Sequence, residues 1–316
     1  MNPIERIAVD ALCAHGESFH RATRAGGWTN QVWIAGDIVV RVSPSAGTDR
    51  IRREAALAAH LPDEIGYPKM IETGVTDGHE WSVSKRIAGT NLSDAWANLD
   101  WDARTRAARR IWSMIRAMRS LDPARIPVPL PRHPWYSSFD PAQSRADAQS
   151  LLERGVLAQS QAAALDALLA RFYDALSRAP LRFVHGDITF DNIMYAGGAL
   201  SLLDFEHAAL APGQVDISNF LRLALGPESA QDEPPSPGRD RFIEGVLALA
   251  RPAIACADAA HLLLGCAALI SLRRVHIWLG GNQAGEPWDA WEPHRALVSL
   301  LDGRGGYLAP LVRAYL

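Results

Sequence analysis

Val184-His185-Gly186-Asp187-Ile188-Thr189-Phe190-Asp191-Asn192, with Leu202-Leu203-Asp204-Phe205-Glu206 shortly after it, is the stretch from which the fold of this 316-residue chain can be read. Short apolar runs at Leu181–Val184, Asn192–Tyr195 and Leu200–Leu203 read as strands, the last two joined by Gly197-Gly198. A loop between buried strands therefore presents Asp187 and Asn192, while Asp204 ends the neighbouring strand. A hard cation such as Mg²⁺ takes oxygen ligands and keeps waters and phosphate oxygens as its other partners, which suits Asn192 and Asp204. Asp187 is then left to accept a proton. That division of labour is what phosphoryl transfer asks of its side chains.

The same residues resemble the catalytic segment of the aminoglycoside phosphotransferase and choline kinase-like family, small-molecule kinases with the protein-kinase fold. His185-Gly186-Asp187 with Asn192 looks like that family's catalytic loop, and Asp204-Phe205-Glu206 is similar to its metal-binding element. The resemblance implies Asp187 as catalytic base, His185 as a loop-ordering residue, and Asn192 and Asp204 as Mg²⁺ ligands. Asp216, in Gln214-Val215-Asp216-Ile217, matches an aspartate that ties the loop to the following helix. The likeness runs from about Phe19 to the last helices. It implies an α+β, bilobal protein-kinase-like fold, with a small antiparallel-sheet N-lobe (1–87) and a larger, mostly helical C-lobe (88–316). The implied chemistry is transfer from ATP or GTP to a hydroxyl of a small molecule, such as an antibiotic or other natural product, in resistance or self-protection. A choline- or sugar-type metabolite kinase and a catalytically silent nucleotide-binding relative are the alternatives. A protein kinase would carry His-Arg-Asp and Ala-Pro-Glu segments, and this sequence has neither.

Working toward the N-terminus, Ser18–Arg24, Gln31–Ala35, Ile38–Val42, Met70–Val75 and Trp81–Ile87 read as five strands. A single helix from Thr48 or Asp49 to about His60 lies among them. In the turn Ala25-Gly26-Gly27-Trp28-Thr29-Asn30, the residues Gly26, Gly27, Thr29 and Asn30 are candidates for phosphate contact, since glycines let backbone N–H groups approach closely. Arg41 stands where the family usually presents a lysine to the α- and β-phosphates, and Glu54 on the helix is its natural partner. Ser84, Lys85 and Ile87 read as the hinge that meets a purine. Small Ser84 leaves room for GTP as well as ATP.

Toward the C-terminus, Trp101–Leu121 and Gln159–Leu176 carry helical apolar stripes, Val215–Leu225 is a further helix, and the proline-rich 126–131 is an extended surface segment. Gly226–Gly238 reads as a mobile loop. Asp191, Glu206, Trp278, Trp288 and Trp291 are the candidates for an acceptor pocket, although late tryptophans are more often core. Arg273, Arg274, His276 and His294 in the same half argue against a strongly acidic pocket built for a cationic acceptor.

Composition closes off other classes. With 32 basic against 35 acidic residues, a net charge of −3, the chain lacks the footprint of a nucleic-acid binder. Three cysteines without a Cys-x-x-Cys pair support neither a disulfide framework nor a structural zinc site. The N-terminus shows no basic-then-apolar signal, and the apolar stretches are broken before the ~18 residues a membrane span needs. The expectation is a cytoplasmic monomer or homodimer with no membrane partner.

Overall fold

Asn2-Pro3-Ile4-Glu5 starts a helix that the strand pattern conceals. In the computed structural model, which describes residues 1–26, 29–226, 234–281 and 287–316, Asn2 Oδ1 accepts from the Glu5 N–H and the Glu5 carboxylate accepts from the Asn2 N–H. With Pro3 in the first turn this capping box launches α1 (Pro3–Ala14), whose Ile4, Ile7, Ala8, Ala11 and Leu12 form a buried stripe. That stripe packs on Trp33, Ala35, Ile38, Val40, Val42 and Val83 of a five-stranded antiparallel sheet. The strands are β1 (Thr23–Ala25), β2 (Gln31–Ala35), β3 (Ile38–Val42), β4 (Met70–Thr76) and β5 (His79–Lys85), in the spatial order β1-β2-β3-β5-β4. The reading of one helix among these strands is thus corrected to two. The strand expected from Ser18 is also shorter, because Phe19–Arg21 turns as a 3-10 helix with Phe19 packed on Trp33.

The second helix, α2 (Arg50–Ala58), lies on the other face of the sheet. Register decides this. Arg41 pairs with Ser82 and Val39 with Ser84, so these residues and Glu80 point away from the side that buries Val40, Val42 and Val83. Thr48 or Asp49 was expected to cap the helix; Asp49 stands at the N-cap, but its side chain makes no capping bond. The cap comes from the sheet instead. Fully buried Glu80 accepts from the Ile51 N–H at 3.2 Å, the Arg52 N–H at 3.3 Å, Arg52 Nε at 2.9 Å and Thr48 Oγ1 at 3.0 Å. A carboxylate at this position satisfies orphan donors and sits at the positive end of the helix dipole.

The chain forms two compact units, each discontinuous in sequence. The first comprises residues 1–92, 124–129 and 191–206. Besides the five-stranded sheet it holds a three-stranded one, in which β6 (Thr90–Asn91) pairs with the hairpin of β8 (Ile193–Ala196) and β9 (Ala199–Leu202). The second comprises residues 93–123, 130–190 and 207–316. Its two-stranded sheet pairs β7 (Arg182–Val184) with β10 (Ala209–Ala211). After α3 (Leu92–Trp96), at the junction of the units in sequence, its helices are α4 (Trp101–Arg119), α5 (Pro141–Glu153), α6 (Gln159–Arg178), α7 (Gln214–Leu225), α8 (Pro237–Ala250), α9 (Ala257–Gly280), α10 (Glu292–Leu301) and α11 (Ala309–Val312). The expected stripe of Ala108, Ile111, Trp112, Ile115 and Met118 on α4 is buried. The loop expected up to Gly238 ends sooner, because Ser236 Oγ accepts from the Arg239 N–H and Pro237 opens α8. The expectation that no apolar stretch reaches membrane length is also corrected. By length and composition α9, 24 residues long, would span one, since its most apolar 18-residue window has a mean hydropathy of 1.5, and 67% of that window is buried, with the helix packed against α6, α7 and α10.

Candidate active site

In the second unit, β7 delivers the chain into His185-Gly186-Asp187, where every backbone N–H has a named acceptor. Asp216, fully buried in the first turn of α7, accepts from the His185 N–H at 2.9 Å through Oδ2 and from the Gly186 N–H at 3.0 Å through Oδ1. His185 Nδ1 accepts from the Asp187 N–H at 3.2 Å, which places the ring proton on Nε2. Gly186 has φ +83°, and a Cβ there would lie 2.5 Å from the His207 carbonyl oxygen, so only glycine fits the turn. The loop is therefore held at three consecutive residues, and the Asp187 side chain is aimed by a rigid backbone. Asp187 Oδ1 accepts from Trp135 Nε1 at 3.1 Å. Nothing in the sequence reading marks Trp135, which follows the proline-rich run at no motif spacing from Asp187.

Burial pushes the Asp216 carboxyl up to about 6, against the pull of the Gly186 and His185 N–H groups and of Arg119. The unfolded chain releases this proton near the ordinary 3.8 and the folded chain retains it to about 6, so stability is lost as pH rises through that window and is level beyond it. Relative to Asp216→Asn, the wild type should lose up to roughly 3 kcal/mol between pH 4 and 7, a figure set by the distance between 3.8 and about 6. Melting temperatures of the two proteins across that range measure it. A wild-type advantage that grows with pH would show that the donors, not burial, govern the group.

In the first unit, the hairpin of β8 and β9 sets Asn192 beside Asp204. Gly197 and Gly198, at φ +56° and +99°, make a two-residue turn that fixes the register Ile193 to Leu202. Just beyond the ladder the Leu203 N–H donates to the Asn192 carbonyl at 2.8 Å, so the two candidate ligands flank the open end of one hairpin. Asp204 adopts φ +63°, a left-handed conformation uncommon outside glycine, asparagine and aspartate. Among the described residues no group of three or more His, Cys, Asp or Glu side chains gathers as a metal site. Two oxygen-bearing residues at neighbouring strand ends are the kind of donor set Mg²⁺ takes, since it uses few protein ligands and retains waters and phosphate oxygens.

Beside Asp204 lies a part-buried charge cluster in which only Glu54 is fully enclosed. Arg41 Nη1 donates to Glu54 Oε2 at 2.8 Å and Nη2 to Asp204 Oδ1 at 3.1 Å. One guanidinium thus spans two carboxylates, a geometry that a lysine's single nitrogen would not reproduce. Burial pulls the Arg41 pKa down, but Glu54 and then Asp204 reverse this and hold it above the ordinary value. Glu54 Oε1 also accepts from the Phe205 N–H at 2.9 Å and from the Tyr67 hydroxyl at 2.8 Å, and the Tyr67 ring meets Phe205 edge-on. Burial, and next Glu54, raise the Tyr67 phenol well above its usual range. The pairing of Arg41 with Glu54 was expected. Tyr67 was not, since no local pattern links it to Glu54 on α2.

The other expected residues are placed as follows. Ser84 is buried on the Arg41 face of the sheet. The Lys85 N–H already donates to the Lys69 carbonyl and the Arg86 N–H to that of Asp37, so β5 ends before Ile87. Of residues 85–87, only Ile87 keeps an N–H without a partner among the described residues. Gly26 has open space around it, Asn30 is buried with Nδ2 on Thr29 Oγ1 at 3.3 Å, and Gly27 lies outside the described residues. Asp191 is exposed. Glu206 is buried, and its carbonyl accepts from Arg53 Nη2 at 2.7 Å. Trp278, Trp288 and Trp291 gather at the end of α9 and the start of α10. Trp291 is buried edge-on to Trp278, Arg274 lies over Trp278, and Trp288, 38% exposed, packs on His294.

A family model described as "Phosphotransferase enzyme family" matches residues 21–255. No curated protein matches the chain in sequence. Among solved structures, the GDP and kanamycin complex of an aminoglycoside phosphotransferase is similar over 95% of this chain and 97% of its own, with a TM-score of 0.69 at 16% identity. A choline/ethanolamine kinase family protein from Mesorhizobium loti is similar over 98% of both chains, with a TM-score of 0.64 at 17% identity. A thermostable mutant of another aminoglycoside phosphotransferase, bound to ADP and hygromycin B, covers 95% of this chain and 98% of its own, with a TM-score of 0.62 at 13% identity. These likenesses establish the α+β, protein-kinase-like fold expected from the catalytic segment.

Proposed function

The chain belongs to the phosphotransferase enzyme family, and from that premise we propose that it transfers the γ-phosphoryl group of ATP or GTP to a hydroxyl of a small molecule, an antibiotic or another hydroxylated natural product. The observation that carries the reading is the rigid loop that aims Asp187, directly followed in sequence by the hairpin that sets Asn192 beside Asp204. In the reaction the acceptor O–H bond breaks, its proton passes to the Asp187 carboxylate, the new O–P bond forms and the nucleoside diphosphate leaves with the electrons of the broken P–O bond. His185 and Asp216 hold the loop while this happens. Arg41 grips the α- and β-phosphates, and Glu54 keeps it in place. Mg²⁺, held by Asn192 and Asp204, neutralises phosphate charge when bound. The purine rests against Ser84 and takes a hydrogen bond from the Ile87 N–H.

Arg41 touches only what the two nucleotides share, so base choice falls to the hinge. Small Ser84 neither fills the pocket nor blocks the guanine O6. GTP should therefore serve at least comparably to ATP. Strong rejection of either base needs buried polar groups left unpaired, and the hinge offers little of that kind.

Purified protein with Mg²⁺ and either nucleotide, incubated with kanamycin, hygromycin B, choline and simple sugars, tests both points through phosphorylated product. One acceptor should raise nucleotide consumption above the acceptor-free rate. A choline-type acceptor is the second reading, suggested by the fold of the choline/ethanolamine kinase family protein. Nucleotide binding without product on any acceptor would favour a silent binding protein. A preference for ATP above roughly a hundredfold in kcat/KM, about 2.7 kcal/mol, would overturn the donor assignment.

A further inference from the structure

Trp135 lies outside the matched motifs and touches the carboxylate assigned as base. Its indole N–H donates to Asp187 Oδ1 at 3.1 Å. The mounting is firm. Pro131 accepts from the Leu210 N–H at 2.8 Å at one end of the segment, and the Ser137 N–H bonds back to the Pro134 carbonyl at the other. Buried Tyr136 meets the indole edge-on at 5.8 Å, and His207, whose carbonyl abuts Gly186, lies 6.1 Å from it. The indole is thus fixed to the same second unit that fixes the catalytic loop.

We propose that Trp135 is a positioning residue for phosphoryl transfer, tying one oxygen of Asp187 so that the plane of the carboxylate is set before the acceptor arrives. Backbone bonds to a loop aim the Cα–Cβ bond of an aspartate, whereas its terminal torsion is set by what its carboxylate oxygens bond to. A donor held on one oxygen fixes that torsion, because a planar group with one end tied has its other end directed. The indole is suited to the task. It donates and cannot accept, so it never competes for the acceptor's proton, and its bulk lets neighbouring rings hold it still. This assignment rests on the reading of Asp187 as the base.

The contact can be tested without activity and its consequence without knowing the acceptor. In ¹⁵N-labelled protein, the Trp135 indole resonance is the one of the ten tryptophan signals that disappears in Trp135→Phe. It should shift and exchange faster with solvent in Asp187→Ala, and return toward its wild-type position in Asp187→Asn, whose amide oxygen still accepts. An indole signal that ignores Asp187→Ala overturns the proposal. In acceptor-free hydrolysis of Mg²⁺-ATP and Mg²⁺-GTP, where water takes the acceptor's place, Trp135→Phe should lower kcat by about 10- to 100-fold, the scale of a lost hydrogen bond to a charged group, with KM for nucleotide within about twofold. Unchanged kcat, or a rise in KM alone, also overturns it. If the wild type neither hydrolyses nucleotide nor phosphorylates any acceptor while the indole signal responds to Asp187→Ala, the phosphotransferase reading fails and the positioning role fails with it, although the contact stands.

Discussion

Asp187→Asn is expected to bind nucleotide and Mg²⁺ as the wild type does while losing about 10²- to 10⁴-fold in kcat, the usual contribution of a general base. The substitution is nearly silent for the scaffold. The Asp187 N–H still donates to His185 Nδ1, Asp216 still holds the two preceding residues, and an amide oxygen replaces the carboxylate oxygen that accepts from Trp135. What disappears is a group able to take the acceptor's proton. Calorimetric titration with a non-hydrolysable nucleotide, beside steady-state kinetics on the acceptor found in the panel, separates the two quantities. A variant that kept wild-type kcat would remove Asp187 from the mechanism, and one that also lost nucleotide binding would show that the residue does more than accept a proton.

Asp204→Ala should fail at the earlier step. It would remove an oxygen donor from the proposed metal site, where Asn192 is the other proposed ligand, and it releases Arg41 Nη2 from the Asp204 carboxylate. The triphosphate then meets less compensating charge. Affinity for the Mg²⁺-nucleotide should fall by more than the roughly 10- to 100-fold that loss of a metal's outer-shell partner costs. Because residue 204 sits at φ +63°, part of any loss in the alanine variant could come from the backbone, and Asp204→Asn is the control, since asparagine tolerates that conformation. Loss in both variants assigns the effect to charge and ligation. Unchanged affinity and stoichiometry in Asp204→Asn would take the residue out of the metal site.

What could be read from the sequence is what local spacing encodes. Asn192 and Asp204 are linked by a hairpin whose Gly-Gly turn dictates its register, so their adjacency along the backbone is legible in the sequence. Helix α1 has a local signature too, in the Asn2 and Glu5 capping box and the spacing of Ile4, Ile7, Ala11 and Leu12, although the strand pattern that follows it masks it. Other features have no local signature. Glu80 caps α2 from a strand, Tyr67 reaches Glu54 from a loop, and Trp135 reaches Asp187 from a segment chosen by proline. In each case the partner is set by tertiary packing. The Lys85 N–H illustrates the same limit from the other side, because its bond to Lys69 depends on where the neighbouring chain runs.

The discontinuity of the first unit bears on how the chain is made. Residues 191–206 belong with residues 1–92, supplying β8 and β9 to pair with β6 and the Phe205 N–H to Glu54. A ribosome adding about 5–20 residues per second needs roughly 6–23 s to pass from residue 92 to residue 206. Through that interval the nascent chain carries Glu54 without its Phe205 donor and Arg41 without Asp204, and β6 has no strand beside it. Folding during synthesis therefore cannot complete this unit in the order in which it emerges. Arg41 precedes Asp204 by 163 residues and Glu54 precedes Phe205 by 151, so the early half of this cluster waits for its late half.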